Sequence, residues 1–155
     1  LSILTHLTRH RMHSLLIPEF TPMWNMNNFV IPESVKANAN DIYVEATKKN
    51  IEMVEKFKSL GVNEGDLVYF YLGNQMLNVV TTMNARKLLL FLRLRSCTRA
   101  QWEIQEYAVD ALKQLRKVAP SIFKFYGPSC FVGACPEGRM TCGRAAEIKE
   151  KFSNL

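Results

Sequence analysis

The stretch from Met76 to Arg95 constrains the fold of this chain most. Met83, Leu88, Leu89, Phe91 and Leu92 give a helix there so broad an apolar surface that most of it has to be buried, against the rest of the chain or against another subunit. The same helix carries Asn84, Arg86 and Arg95. Polar and charged groups on a surface headed for burial are costly unless each finds a partner, so either carboxylates or an anionic ligand must meet them.

The remaining elements follow from periodicity and punctuation. Ser2 to Leu16, rich in Leu, Ile and Thr and stopped by Pro18, reads as a strand. Pro18, Pro22 and Pro32 then enforce an extended connection. From Asn40 the apolar residues Tyr43, Ala46, Ile51, Val54 and Phe57 keep helical spacing until Gly61, whose freedom to go left-handed suits a helix end. Leu67 to Leu72 predicts a buried strand after the turn at Glu64-Gly65-Asp66. Thr98 with Gln101 has the form of a capping box opening a helix that ends at Ala119, before Pro120. Residues 1–126 therefore read as one globular domain, followed by a Cys-rich tail over 127–155 that is irregular to Arg144 and helical from Ala145 to Phe152.

With 48% apolar and 22% charged residues, 155 residues suffice for one sizeable core. The net charge of +6 favours anionic partners. Aromatic residues are not clearly interleaved with basic ones, so no nucleic-acid partner is expected. No run reaches the roughly 18 apolar residues of a membrane span. With no secretory leader in view, the reading is a soluble, cytoplasmic protein.

Three groups of residues carry chemistry. Arg9-His10-Arg11 puts two guanidinium groups and an imidazole at a strand end, the first and third sharing one face, where they can clamp a phosphate or an anionic ring edge. Taken alone, such a triplet is more often a solvated basic strand end. Asn84, Arg86 and Arg95 form the second group, satisfied either by structural ion pairs or by a ligand. Cys97, Cys130, Cys135 and Cys142 form the third. Four thiolates on Gly-rich turns can hold zinc or an iron–sulfur cluster, although the spacings are not those of a common zinc knuckle, and free reduced thiols are the alternative. His13 and Glu19 are further candidates, each more often a solvated side chain than a site.

Arg9-His10-Arg11, Met83-Asn84-Ala85-Arg86, Leu94-Arg95 and Ala100-Gln101-Trp102-Glu103-Ile104 follow one another in the order and approximate spacing of the flavin-dependent thymidylate synthases. The chain resembles that family from Leu1 to Leu115. The family's opening segment has no counterpart here, so the chain reads as shortened at its N-terminus. The resemblance implies an α/β fold of the α+β kind, a small sheet packed with long helices. It further implies a homotetramer with FAD bound where subunits meet, and reductive methylation of dUMP to dTMP with methylenetetrahydrofolate and NADPH. Carried over residue by residue, Arg9, His10 and Arg11 would contact FAD, with Arg9 also near the nucleotide, and Asn84 and Arg86 would bind FAD from the helix side. Arg95 would hold the uracil ring as the catalytic cation. The chain departs from the family pattern at Glu19, where a Ser is expected, at Ile17 for an acidic residue and at His6 for a Gln. It also departs at Val68 for a basic residue and at Leu90 for an Asn or His. These departures leave open an FAD-binding relative with altered or lost nucleotide specificity, and a metal- or nucleic-acid-binding module is a third reading.

Overall fold

The computed structural model describes residues 2–18 and 26–155. The chain divides into two compact units, one of residues 1–4 and 15–81, the other of residues 5–14 and 82–155. The architecture is mixed, helices with one two-stranded sheet.

The first element is a single helical turn, α1 (Leu4–Leu7), and only Ser14–Leu16 is extended, as β1. The long strand expected over Ser2–Leu16 is thus replaced in its first half. The turn buries Leu7 and closes with the His10 amide donating to the Leu7 carbonyl at 3.0 Å. Apolar composition could not separate this short turn from a strand.

The long helix α2 covers Glu33–Ser59 and starts earlier than its periodicity suggested. Pro32 precedes it in an extended conformation, and its carbonyl accepts from the amides of Val35 and Lys36 at 2.9 Å each. At Ala39 (φ −151, ψ 29) the helical path breaks and resumes, so the regular heptad pattern becomes legible only beyond that point. Gly61 ends the helix as expected, at φ 78.

No strand forms over Leu67–Leu72. The Asn63 side chain accepts from the Gly65 amide at 2.9 Å and opens α3 (Glu64–Leu67), which passes into a 3-10 turn at Val68–Phe70. The turn buries Leu67 completely against Val54 and Met26, with Ile51, Phe57, Val62 and Tyr71 around them, while Tyr69 is 84% exposed. A local cap has overridden the strand preference of an aromatic and β-branched run.

β2 (Val80–Thr82) pairs with β1. The helix expected from Met76 therefore starts only at α4 (Ala85–Arg95), where the Asn84 side chain accepts from the Lys87 amide at 3.0 Å. In α5 (Trp102–Val118) the cap is Gln101, accepting from the Ile104 amide at 3.0 Å, and not Thr98. The short helices α6 (Pro120–Phe123) and α7 (Ser129–Val132) follow, then a 3-10 turn at Gly138–Met140 and α8 (Ala145–Ser153). Within this unit α4 packs on α5 and α7, α5 on α6, and α7 on α8, burying Leu92, Ile104, Ala108, Leu112, Ile148 and Phe152.

Arg116 ties these pieces together. Its Nε donates to the Phe123 carbonyl (3.2 Å), Nη1 to that of Phe152 (2.6 Å), and Nη2 to those of Lys124 (3.3 Å) and Tyr126 (3.0 Å). The guanidinium also lies over the Phe131 ring, 5.7 Å from its centroid. One planar cation thus serves carbonyls that the short helices α6 and α8 leave without helical donors. Gly127 completes the fit, because a Cβ there would meet the Phe131 ring at 2.8 Å.

Arg116→Ala is expected to cost about 2–4 kcal/mol, since charge-assisted bonds contribute about 1.5–3 kcal/mol each and their loss leaves partly buried carbonyls without this donor. Arg116→Lys should recover less than half, because one ammonium cannot span the four acceptors. Urea unfolding midpoints check both values.

Candidate functional site

His10 and Arg95 lie side by side in the second unit. The Arg95 Nε donates to the His10 Nε2 at 2.9 Å, and its Nη2 donates to the His6 carbonyl at 2.9 Å. The first bond fixes the tautomer, because an Nε2 that accepts leaves the ring proton on Nδ1. Behind the imidazole stands Phe91, edge to face, with ring centroids 5.2 Å apart. Phe91 and Arg95 are one helical turn apart on α4, and Lys87 lies one turn earlier on the same face.

The electrostatics are one-sided. Burial lowers the His10 pKa, and the charges of Arg95, His13 and Lys87 lower it further, so the ring is neutral at neutral pH. Burial likewise lowers the pKa of Arg95, with Arg9 as the second cause. Arg9, Arg11, Lys87 and Arg95 take part in no ion pair among the described residues. His13 adds a buried Nδ1 without a partner. Among the described residues no carboxylate pairs with these cations, so the local field is positive.

Of the residues singled out in the sequence, Arg9, His10 and Arg95 come together, whereas Arg11 is exposed and makes no contact with them among the described residues. Asn84 and Arg86 stand at the start of α4, where the Asn84 carbonyl oxygen is used by the helix cap. Nine residues along a helix is about half a turn out of phase, so Arg86 does not share the face of Arg95. Glu19 lies outside the described residues. The departure at His6 has no consequence for Arg95, which binds the backbone carbonyl there. Lys87 was missed in the sequence, although its spacing from Phe91 and Arg95 was a usable signal.

The four cysteines all line one cavity of about 230 Å³ in the same unit, with Arg93, Arg95 and Arg99. Among the described residues no three His, Cys, Asp or Glu side chains converge as a metal site. A tetrahedral ion or cluster needs at least that many ligands, so this arrangement does not fit one.

The family model described as thymidylate synthase complementing protein matches residues 1–121. The chain belongs to this family. It is 37% identical over 169 residues to the flavin-dependent thymidylate synthase of Clostridium tetani, an alignment covering 96% of this chain and 68% of that protein. The namesake of Geobacter sulfurreducens is 39% identical over 128 residues, 81% of this chain and 55% of that protein. That of Thermococcus onnurineus is 34% identical over 162 residues, covering 96% and 66%. The chain thus spans between about half and two thirds of the length of these relatives. Family membership accounts for the order of the motifs, and the mixed fold agrees with the class expected from them.

His10 makes a pH prediction. A folded pKa below the unfolded value of about 6.5 means that the folded chain binds fewer protons, so stability is full above that value and falls as pH drops through it towards the folded pKa. His10→Gln should flatten this loss between about pH 6.5 and 5 relative to the parent chain, as read by melting temperature. Equal slopes in the two chains would contradict the assignment.

Proposed function

We propose that the cationic cluster around the Arg95–His10 pair holds FAD and that the chain carries out the reductive methylation of dUMP to dTMP with methylenetetrahydrofolate and NADPH. The observation that supports this reading best is the group of cations, Arg9, Lys87 and Arg95, that have no ion pair among the described residues and gather near a neutral His10. Such a cluster suits the diphosphate of a dinucleotide and the anionic edge of a ring.

Each residue has a part within the reading. Arg9, His10 and Arg11 contact FAD, Arg9 also facing the nucleotide, and Asn84 and Arg86 reach it from the start of α4. Flavin, once reduced, supplies the hydride that completes the methyl group. Arg95 is held by two bonds through Nε and Nη2, which leaves Nη1 to meet a pyrimidine at a fixed position. A fixed cation beside the uracil ring stabilises the form ionised at N3 and so makes the ring a better nucleophile, without a nucleophile from the protein. Glu19 is assigned to the nucleotide side of the site. A homotetramer is part of the same reading, and it is supported by the exposed Leu90 and Leu94, one turn apart on α4, which leave an apolar strip for a subunit contact.

A second reading, FAD binding without dUMP, is favoured by Ile17, which is 38% exposed where an acidic contact is expected, and by Val68 and Leu90 in place of polar residues. The two separate in one experiment. The flavin-loaded chain should be yellow, should convert labelled dUMP to dTMP, and should melt several degrees higher with dUMP present. Flavin absorbance without stabilisation by dUMP selects the second reading, and a chain that stays colourless after reconstitution excludes both. Arg95→Gln should lower turnover at least about 100-fold, the scale on which a fixed stabilising donor acts.

A further inference from the structure

Cys97, Cys130, Cys135 and Cys142 come from three separate stretches of chain yet face one cavity. They fall into an inner and an outer pair. Cys130, on α7, is buried, and its thiol pKa is pushed up by that burial and then by Cys97, the largest of the neighbouring charges. Cys135 is exposed, and its Sγ lies 3.7 Å from the Thr141 hydroxyl, next in the chain to Cys142. Cys142 in turn lies near the Thr98 hydroxyl, which first, and then the Arg144 amide, holds its thiol below the ordinary value. The outer pair thus shares one short loop and includes the more readily ionised thiol.

The cavity wall is cationic. Arg93, Arg95 and Arg99 line it against the single carboxylate of Glu137. Among the described residues the buried Arg93 Nε has no hydrogen-bond partner. A thiolate in an electropositive, partly open cavity is the environment of reactive cysteines.

We propose that Cys142 and Cys135 form a thiol–disulfide exchange site for small disulfides that carry carboxylates, drawn in by the arginines of the cavity. The Cys142 thiolate attacks one sulfur of the small disulfide, whose S–S bond breaks, and the first small thiolate leaves and takes a proton from solvent. Cys135 then gives up its proton and attacks the Cys142 sulfur, releasing the second small thiol. Two protein thiols are oxidised to one disulfide, and one small disulfide is reduced to two thiols. The cavity shares Arg95 with the flavin reading, but neither cysteine has a part in that reading, so the thiol chemistry is tested independently of it.

The test uses the full reduced chain and two probe disulfides, the doubly anionic dithionitrobenzoate and the uncharged dithiodipyridine. Cys142 should react faster than the same thiol in the urea-unfolded chain, and the fast phase should release two equivalents of nitrothiobenzoate. Peptide mass spectrometry should then find Cys135 joined to Cys142. Cys135→Ser should stop at one equivalent, with the probe trapped on Cys142. Arg99→Gln should slow the anionic probe at least about threefold and leave the uncharged one unchanged. Overturning results are a Cys142 no faster than in the unfolded chain, a linkage that omits Cys135 or Cys142, or zinc bound at one per chain that silences the thiols. An equal effect of Arg99→Gln on both probes removes the arginines from the proposal.

Discussion

The fork of Arg95 onto the His10 ring and the His6 carbonyl is the interaction on which the site depends. It joins a segment near the start of the chain to the last turn of α4, more than 80 residues away in sequence. Everything of interest in the second unit is placed by that join. The imidazole is seated on Phe91, Lys87 falls on the same helix face, and Arg9 is carried close enough to lower the pKa of Arg95. Such long-range contacts form only when the helix packing around α5 already holds α4 in position.

The same join creates a deficit. Several cations are gathered with no ion-paired acid among the described residues, and the pKa values of Arg95 and of the neutral His10 are both moved against their charged forms. The fold tolerates this because α4 and α5 bury Phe91, Leu92, Ile104, Ala108 and Leu112 beside the cluster. Like charges gathered in this way disfavour one another's charged forms, which is the deficit that the proposed anionic ligand would offset. Arg116 shows the opposite arrangement, a cation whose charge is fully used by four carbonyls and which is therefore purely structural.

Much of this was legible in the sequence, and the exceptions have local causes. That Arg95 on an apolar helix would need a partner was visible in the sequence, and the structure gives it one in His10. Gly61 marked its helix end because only glycine takes its φ of 78 without strain. The strands over Ser2–Leu16 and Leu67–Leu72 failed for a different reason, since a cap or a single turn with few residues decides such short runs, and composition cannot show it. Asn84 was seen as a ligand contact, while half of its side chain works as a helix cap. Lys87 and Arg116 were hidden because a lone Lys or Arg in a helix reads as solvated until tertiary neighbours are known. The gathering of four cysteines on one cavity lies between these cases, being suggested by their clustering and fixed only by the packing of α7 on α4.

The most direct measurement is the NMR titration of the His10 ring in the chain without ligand and then with FAD. Burial, and after it the charges of Arg95 and Lys87, predict an apparent pKa below about 6.5 in the free chain, rising once the flavin nucleotide's phosphates or ring edge offset those charges. A ring that titrates at its ordinary value in the free chain, or whose pKa stays the same or falls when FAD binds, would contradict the claim that this cluster is the flavin site.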